Sequence, residues 1–159
     1  MTPAEKEARI TQYLAGADAF DDALTMQPAL LTFRPSPDAW TIHEHVVHFA
    51  ESEIATFHRY RKAVAEPGGP VVGYDEEKWT PALGYHATSL ADSLALLKLL
   101  RKIAAAHLRT IVQNDWTKYT FQHSSKGSIN LETWIDDYID HVRFHREYIE
   151  RNKKLFAEK

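Results

Sequence analysis

Nine histidines and no cysteine are the most distinctive chemical feature of this 159-residue chain. Without cysteine, disulfides, thiolate nucleophiles and iron–sulfur clusters are excluded, and any transition metal must bind through histidine or carboxylate. Three histidines stand close together in the first half of the chain and two near its end. These five are His43, His45, His48, His141 and His145.

The pair His141 and His145 has the spacing that a helix needs to chelate one ion. Side chains four residues apart have Cβ atoms about 5–6 Å apart on one helix face, which lets two imidazoles bind one metal at about 2.0–2.1 Å. A bare H-x-x-x-H is also typical of two partly buried histidines with backbone or water partners. A third ligand is therefore needed, and helical periodicity leaves both His45 and His48 open for that role.

Four long segments that are almost free of glycine and proline must position these histidines. The first has the helix-start pattern Thr2, Pro3, Glu5 and is predicted to run to near Pro28. The second opens with the capping-box pattern of Thr41 and a glutamate three residues later. Both helices are expected to bury an apolar stripe, which includes Ile10, Tyr13, Phe20, Leu24, Ile42, Val46, Phe49, Ile54 and Phe57.

The other two helices are predicted from the same signals. One starts at Ser89 with Asp92 three residues later, ends near Asn114 and is expected to bury a stripe that includes Ile103. The last follows Gly127 and carries the histidine pair. Since no long stretch alternates apolar and polar residues, no sheet is expected, apart from a short extended piece at 118–122.

Each predicted helix has an apolar face that must be covered, so the expected fold is all-α: one four-helix-bundle domain over residues 1–159. The loop from Glu66 to Thr88 is longer than most connections in compact domains. Its rings Tyr74, Trp79 and Tyr85 either wall a substrate pocket or anchor the loop to the bundle. The other three tryptophans, Trp40, Trp116 and Trp134, are expected to be structural.

Composition limits the partners. The formal net charge is −3, which disfavours binding to nucleic acid through phosphate contacts. No apolar run approaches the roughly 20 residues of a membrane span, and the first residues lack the pattern of a secretion signal, so we expect a cytoplasmic protein that does not bind membranes. A homodimer is also expected, because four-helix bundles often pair through exposed apolar seams.

Two segments carry a resemblance to a known family. Residues 40–53 read WTIHEHVVHFAESE and resemble the DinB/YfiT-like pattern, in which Trp-Ser/Thr begins a helix and a histidine follows eight residues later. His48 occupies that place. Residues 138–145, YIDHVRFH, resemble the H-x-x-x-H of the family's last helix.

The resemblance extends from about Trp40 to the end of the chain. Three further stretches resemble the YfiT-like branch: residues 74–79, 89–94 and 123–127. The last of these is similar to an H-P-x-x-G stretch but has Ser124 in place of the proline, so no role is assigned to His123.

The resemblance implies a four-helix bundle that holds a divalent metal, usually zinc or nickel, by His48, His141 and His145. It also implies thiol chemistry, since characterised relatives are transferases or isomerases that use low-molecular-weight thiols such as bacillithiol or mycothiol. Because this chain has no cysteine, the thiol must arrive as a cosubstrate of an electrophilic small molecule.

Three functions remain open from the sequence. Three neutral ligands leave the ion its full charge and an open position, which favours the formation of either thiolate or hydroxide near neutral pH. Thiol transfer is the leading hypothesis, with metal-dependent hydrolysis by bound water as the alternative. A non-enzymatic helical interaction module is the alternative of another class. Candidate carboxylates around the ligands are Glu44, Glu51 and Asp137, although each taken singly is more typical of an ordinary solvated carboxylate.

Overall fold

Six α-helices and one small sheet make up the computed structural model, which describes residues 1–159. Four long helices form the bundle: α1 (Pro3–Ala15), α3 (Ile42–Ala65), α5 (Leu90–Thr110) and α6 (Leu131–Ala157). The two remaining helices are short: α2 (Pro28–Leu31) and α4 (Glu76–Ala82). The predicted four-helix bundle is confirmed, and none of its helices is long and apolar enough to cross a membrane.

The helix starts follow the sequence signals closely. Thr2 and Thr41 both form complete capping boxes, in which the cap side chain and a glutamate three residues later exchange hydrogen bonds with each other's backbone. Ser89 caps α5, and Asn130 caps α6 through its side-chain oxygen. These caps set the rotation at which each helix begins and hence which face it turns inward.

Helix α3 packs against α5 and α6, and α1 packs against the same two helices, so α1 and α3 lie diagonally across the bundle. The core consists of two apolar clusters. One surrounds Trp116 and Trp134 and the other surrounds Phe20 and Phe49. Between them lies a buried polar group, Arg101. The bundle therefore carries polar side chains in its interior as well as apolar ones.

The first helix is shorter than predicted: it ends at Ala15 rather than near Pro28. Gly16 follows, and a Cβ added there would lie 2.6 Å from Nη1 of Arg101. The chain passes this arginine and continues in two 3₁₀ turns, Gly16–Asp18 and Asp21–Thr25. The changed twist brings Phe20 into the core but leaves Leu24 52% exposed, contrary to its predicted burial.

The absence of a sheet was predicted wrongly. Three short strands pair in the order β1 (Pro70–Val71), β2 (Thr120–His123) and β3 (Gly127–Asn130). Strand β1 is parallel to β2, and β2 is antiparallel to β3, with Phe121 opposite Ile129. Strands of two to four residues are too short to show an alternating pattern. The pairing fixes the start of the long loop against the segment before α6.

Other differences concern the helix surfaces. Ile54 and Ile103 were expected to be buried but are exposed, and α5 ends at Thr110 rather than near Asn114. Both isoleucines lie on helices whose apolar residues cover more than one face, so periodicity alone does not assign every position. These errors lie away from the histidines.

Candidate metal centre

The first turns of α3 are held from three sides, and this placement fixes His48. The Thr41 backbone N–H donates to the Glu44 carboxylate at 2.8 Å, and Nη2 of Arg34 donates to the same carboxylate at 2.6 Å. Asn152 of α6 donates its side-chain N–H to the Trp40 carbonyl at 2.9 Å. Helix α3 is thereby fixed to α6 at the level where the histidines of both helices face each other.

The three histidines predicted as ligands come together in the structure. His141 and His145 lie one turn apart on α6, and their Nε2 atoms are 2.8 Å apart. One ring nitrogen from each of these two and one from His48 all lie within 4.8 Å of one another. His48 and His145 are each only 3% exposed, so the cluster lies in the bundle wall and not on its surface.

The donor set fits a divalent transition metal. Imidazole nitrogen suits zinc and nickel, and bonds of about 2.0–2.1 Å to one ion need nitrogens that converge as these do, after small side-chain rotations. Nδ1 of His48 and Nδ1 of His141 are buried without a hydrogen-bond partner. Buried polar atoms are nearly always paired, so a cluster with unpaired atoms is unusual as a purely structural feature.

Burial keeps these rings neutral. It lowers the pKa of His48 to about 4. For His141, burial is the main cause, followed by the neighbouring His48 and Arg101, and the pKa falls to about 3. The pKa of His145 is also lowered by burial and by the other histidines around it. Only a neutral imidazole has a lone pair to offer a metal, so the cluster is ready to bind at neutral pH.

His45 is the other candidate that periodicity left open, and it takes a different place. Its Nδ1 atom is 3.0 Å from Nδ1 of His145, on the side of that ring away from His141. His45 is not among the three converging residues. His43, two residues earlier, points elsewhere, with its Nε2 2.8 Å from the Thr88 carbonyl oxygen.

A cavity of about 990 Å³ opens onto the cluster. Besides the three histidines, its wall contains aromatic rings, among them Trp40, Tyr74, Tyr138, Phe144 and Tyr148. It also contains charged groups of both signs, including Arg59, Glu76, Asp137 and Arg151. The predicted ligands therefore face a space large enough for a small-molecule substrate.

Comparison with known families gives a match to the DinB superfamily over residues 12–149. This match covers the histidines of both helices and most of the bundle. The chain belongs to the DinB superfamily.

Curated DinB-type relatives carry names that refer to a metal. A protein of Oceanobacillus iheyensis named "Putative metal-dependent hydrolase OB0782" is 29% identical over 110 residues, which is 69% of this chain and 63% of that protein. "Putative metal-dependent hydrolase YfiT" of Bacillus subtilis is 27% identical over 110 residues, 69% of this chain and 62% of that protein. The chain thus spans slightly under two thirds of the length of these relatives.

The solved structure of YfiT from Bacillus subtilis has the same fold. It superimposes with a TM-score of 0.89 and 23% identity, and the match covers 99% of this chain and 90% of that one. YfiT is described as having an unusual four-helix bundle topology. At this identity the likeness establishes the fold.

The three candidate carboxylates do not hydrogen-bond to the ligands. Glu44 instead binds Thr41 and Arg34. Glu51 lines a second pocket that adjoins the cavity, and Asp137 lies in the cavity wall with Lys126 as its salt-bridge partner at 4.0 Å. Spacing along a helix placed these carboxylates near the histidines in sequence, but their side chains leave the helix in other directions.

The rings of the long loop divide between the two roles left open. Tyr74 lines the cavity, whereas Tyr85 is buried and anchors the loop. Trp79 stacks near Tyr74, with ring centroids 4.4 Å apart, and lies at the second pocket. Both interpretations of the loop therefore hold, each for different residues.

Several cavity residues were not predicted from the sequence. Trp40 is predicted to be structural, but it lies in the cavity wall, and its ring centroid is 4.8 Å from that of His48. Arg59 donates to the Tyr138 hydroxyl at 3.0 Å and also faces the cavity. The available signal was helical spacing: Arg59 lies eleven residues after His48, which is close to three full turns along one face.

Proposed function

We propose that the chain is a divalent-metal-dependent enzyme that transfers a low-molecular-weight thiol to an electrophilic substrate. The observation that carries the proposal is the convergence of one nitrogen from each of His48, His141 and His145 within 4.8 Å, in the wall of a cavity of about 990 Å³. Three protein ligands with an open side facing a cavity are typical of catalytic metal sites, whereas structural sites are closed by four.

The three histidines would hold the ion, with zinc as the expected metal and nickel as the alternative. Bound there, a divalent ion supplies a Lewis acid that lowers the pKa of a water or thiol bound to it. The ligands that the protein contributes are all neutral imidazoles. In addition, no carboxylate hydrogen-bonds to the three rings. The full charge of the ion would thus be available to an anionic nucleophile.

The cavity supports a reaction between two molecules. Its volume lies at the upper end of the roughly 300–1,000 Å³ of small-molecule sites, which leaves room for a thiol and a second substrate. Its aromatic walls would exclude water and pack against apolar parts of the electrophile. Since the chain contains no cysteine, the sulfur would have to come from a free thiol.

Metal-dependent hydrolysis is the second candidate. The names of the curated relatives favour it, because they describe metal-dependent hydrolases. The same ion would then activate water instead of a thiol, and the cavity would hold one larger substrate. Both candidates use the three histidines in the same way and differ in the nucleophile.

An assay that varies the thiol separates these candidates. Metal-loaded protein is incubated with monochlorobimane and, in turn, bacillithiol, mycothiol or no thiol, and a second series follows p-nitrophenyl acetate cleavage without thiol. Thiol transfer requires that the bimane adduct forms faster with protein, metal and thiol together than when any one of them is left out. His145→Ala should lose this acceleration. Ester cleavage that is indifferent to thiol, with no bimane transfer, favours the hydrolase. A protein without metal-dependent activity in either series would instead fit a helical interaction module.

A further inference from the structure

His45 contacts the metal cluster from outside, at a position where metalloproteins usually place another kind of residue. A histidine that binds a metal through one ring nitrogen generally donates the N–H of the other to a carboxylate, a carbonyl or a water. For His145 the Nε2 atom faces His141 at 2.8 Å, and the Nδ1 atom faces Nδ1 of His45 at 3.0 Å. The acceptor available to His145 is thus a neutral imidazole.

The His45 ring is held in this orientation by its surroundings. It stacks on Tyr148 with ring centroids 5.3 Å apart and an interplanar angle of 23°, and it lies 5.4 Å from the Trp40 ring. The residue is 5% exposed, and its Nε2 atom is buried without a partner. A ring clamped between two aromatics offers its Nδ1 atom at a fixed position, as an orienting partner should.

We propose that His45 is a positioning residue for the metal site, which accepts a hydrogen bond from Nδ1 of His145 and thereby presents Nε2 of His145 to the metal. This proposal rests on the proposed metal site. It gives a role to His45, which helical periodicity left open as a possible third ligand. His145 then carries its proton on Nδ1, and His45 carries its own on Nε2. Because the acceptor is uncharged, it orients the ligand without offsetting the positive charge of the ion. A carboxylate in the same place would offset part of that charge.

Zinc affinity measured by competition with a chromophoric chelator tests the role. In His45→Phe the ring remains but the acceptor is lost, and zinc affinity should fall by about 10–100-fold, the usual effect of removing such a partner. His45→Asn keeps an acceptor oxygen bonded to Cγ, as Nδ1 is in histidine, and should recover at least about tenfold of that loss. His43→Phe is the matched control, because His43 lies on the same helix and contacts Thr88 instead of the cluster.

A second measurement needs no variant and so does not depend on whether His45→Phe folds. Long-range ¹H–¹⁵N correlations of the zinc-loaded native protein should show His145 protonated on Nδ1 and His45 protonated on Nε2. A His145 ring protonated on Nε2 would contradict the proposal.

The outcomes distinguish this inference from the proposed function. Native protein that binds zinc tightly, with unchanged affinity in His45→Phe, would overturn the role of His45 alone. Loss of the ion in His45→Phe and in His45→Asn, with retention in His48→Ala, would make His45 a ligand and also overturn it. Native protein that binds no zinc would overturn both the metal site and this role.

Discussion

Two buried polar clusters lie in the same bundle, and they differ in how their atoms are paired. In the first, Arg101 donates from Nε to Glu53 at 2.8 Å and from Nη1 to the Tyr13 carbonyl at 2.7 Å. The Tyr13 hydroxyl donates to the same Glu53. Each of the three side chains finds partners within the cluster, so this arginine cluster is complete without a ligand.

The histidine cluster is incomplete by comparison. His141 and His145 contact each other, but Nδ1 of His48 and Nδ1 of His141 have no partner. The Phe49 ring contacts both clusters: its centroid is 5.0 Å from the Arg101 guanidinium and 5.1 Å from the centroid of the His141 ring. From the difference in pairing we expect the arginine cluster to stabilise the bundle and the histidine cluster to bind a ligand. Substitutions in each cluster test that division.

The largest expected effect comes from the arginine cluster. Glu53→Gln keeps the shape but leaves the Arg101 charge buried without a counter-ion, and removal of one partner from a buried pair typically costs about 3–5 kcal/mol. Urea unfolding in the presence of a chelator measures the loss. His48→Gln, the matched change in the other cluster, should cost less than about 1 kcal/mol. Equal losses in the two variants would remove the distinction between the clusters.

Zinc should stabilise the protein through the histidine cluster alone. A ligand that binds only the folded state at one hundred times its Kd adds about 2.7 kcal/mol to the free energy of unfolding. We expect zinc to raise the free energy of unfolding by this amount in the native protein. Glu53→Gln should show the same increase when it is compared with metal-free Glu53→Gln. His145→Ala should show none, since it lacks a ligand. The same zinc-induced increase in all three proteins would contradict the assignment.

The pH dependence of the metal-free protein should reveal the buried neutral histidines. The folded pKa of His48 is about 4, below its ordinary value of about 6.5, so between these values the unfolded state binds more protons. Stability is therefore fully present above pH 6.5 and falls as the pH drops towards 4, by at most about 1.4 kcal/mol per pH unit for each such group.

His48→Gln provides the comparison for this pH effect. Its unfolding free energy, measured in chelator across the same pH range, should depend less steeply on pH than that of the native protein. Burial also lowers the pKa values of His45, His141 and His145, so these residues contribute to the slope that remains. Identical slopes in the two proteins would show that His48 is not held neutral by burial.

The smallest effect is expected for Asp137, a carboxylate one helical turn before His141 that does not hydrogen-bond to the ligands. Asp137→Asn should change both zinc affinity and stability by no more than about 0.5 kcal/mol, because Asp137 is partly exposed and its salt-bridge partner is Lys126 at 4.0 Å. A tenfold loss of zinc affinity would mean that a carboxylate supports the cluster after all.

Much of the fold could be predicted because its signals are local. The capping boxes at Thr2 and Thr41 depend on residues three positions apart, and both are confirmed. The end of α1 lies instead beside Arg101, which is far away in the sequence, donates to the Tyr13 carbonyl and would come within 2.6 Å of a Cβ placed on Gly16. The small sheet likewise depends on pairing between distant short segments, which periodicity does not register.

The candidate site shows the same limit. The spacing of His141 and His145 places both on one face of a helix, and the structure brings their Nε2 atoms together. The third histidine was selected by family resemblance, because periodicity treats His45 and His48 alike. His48 converges with the two histidines of α6, whereas His45 contacts Nδ1 of His145. This difference depends on how α3 packs against α6.

The central claim is that the three histidines bind one metal ion, and elemental analysis of protein purified without a histidine tag tests it most directly. We expect about one divalent ion per chain in the native protein and in Glu53→Gln, as for a single site with three protein ligands. His48→Ala and His145→Ala should each lose the ion while retaining helical circular dichroism. A metal content that is unaffected by both alanine substitutions, or a native protein that holds no ion after incubation with zinc or nickel, would contradict the claim.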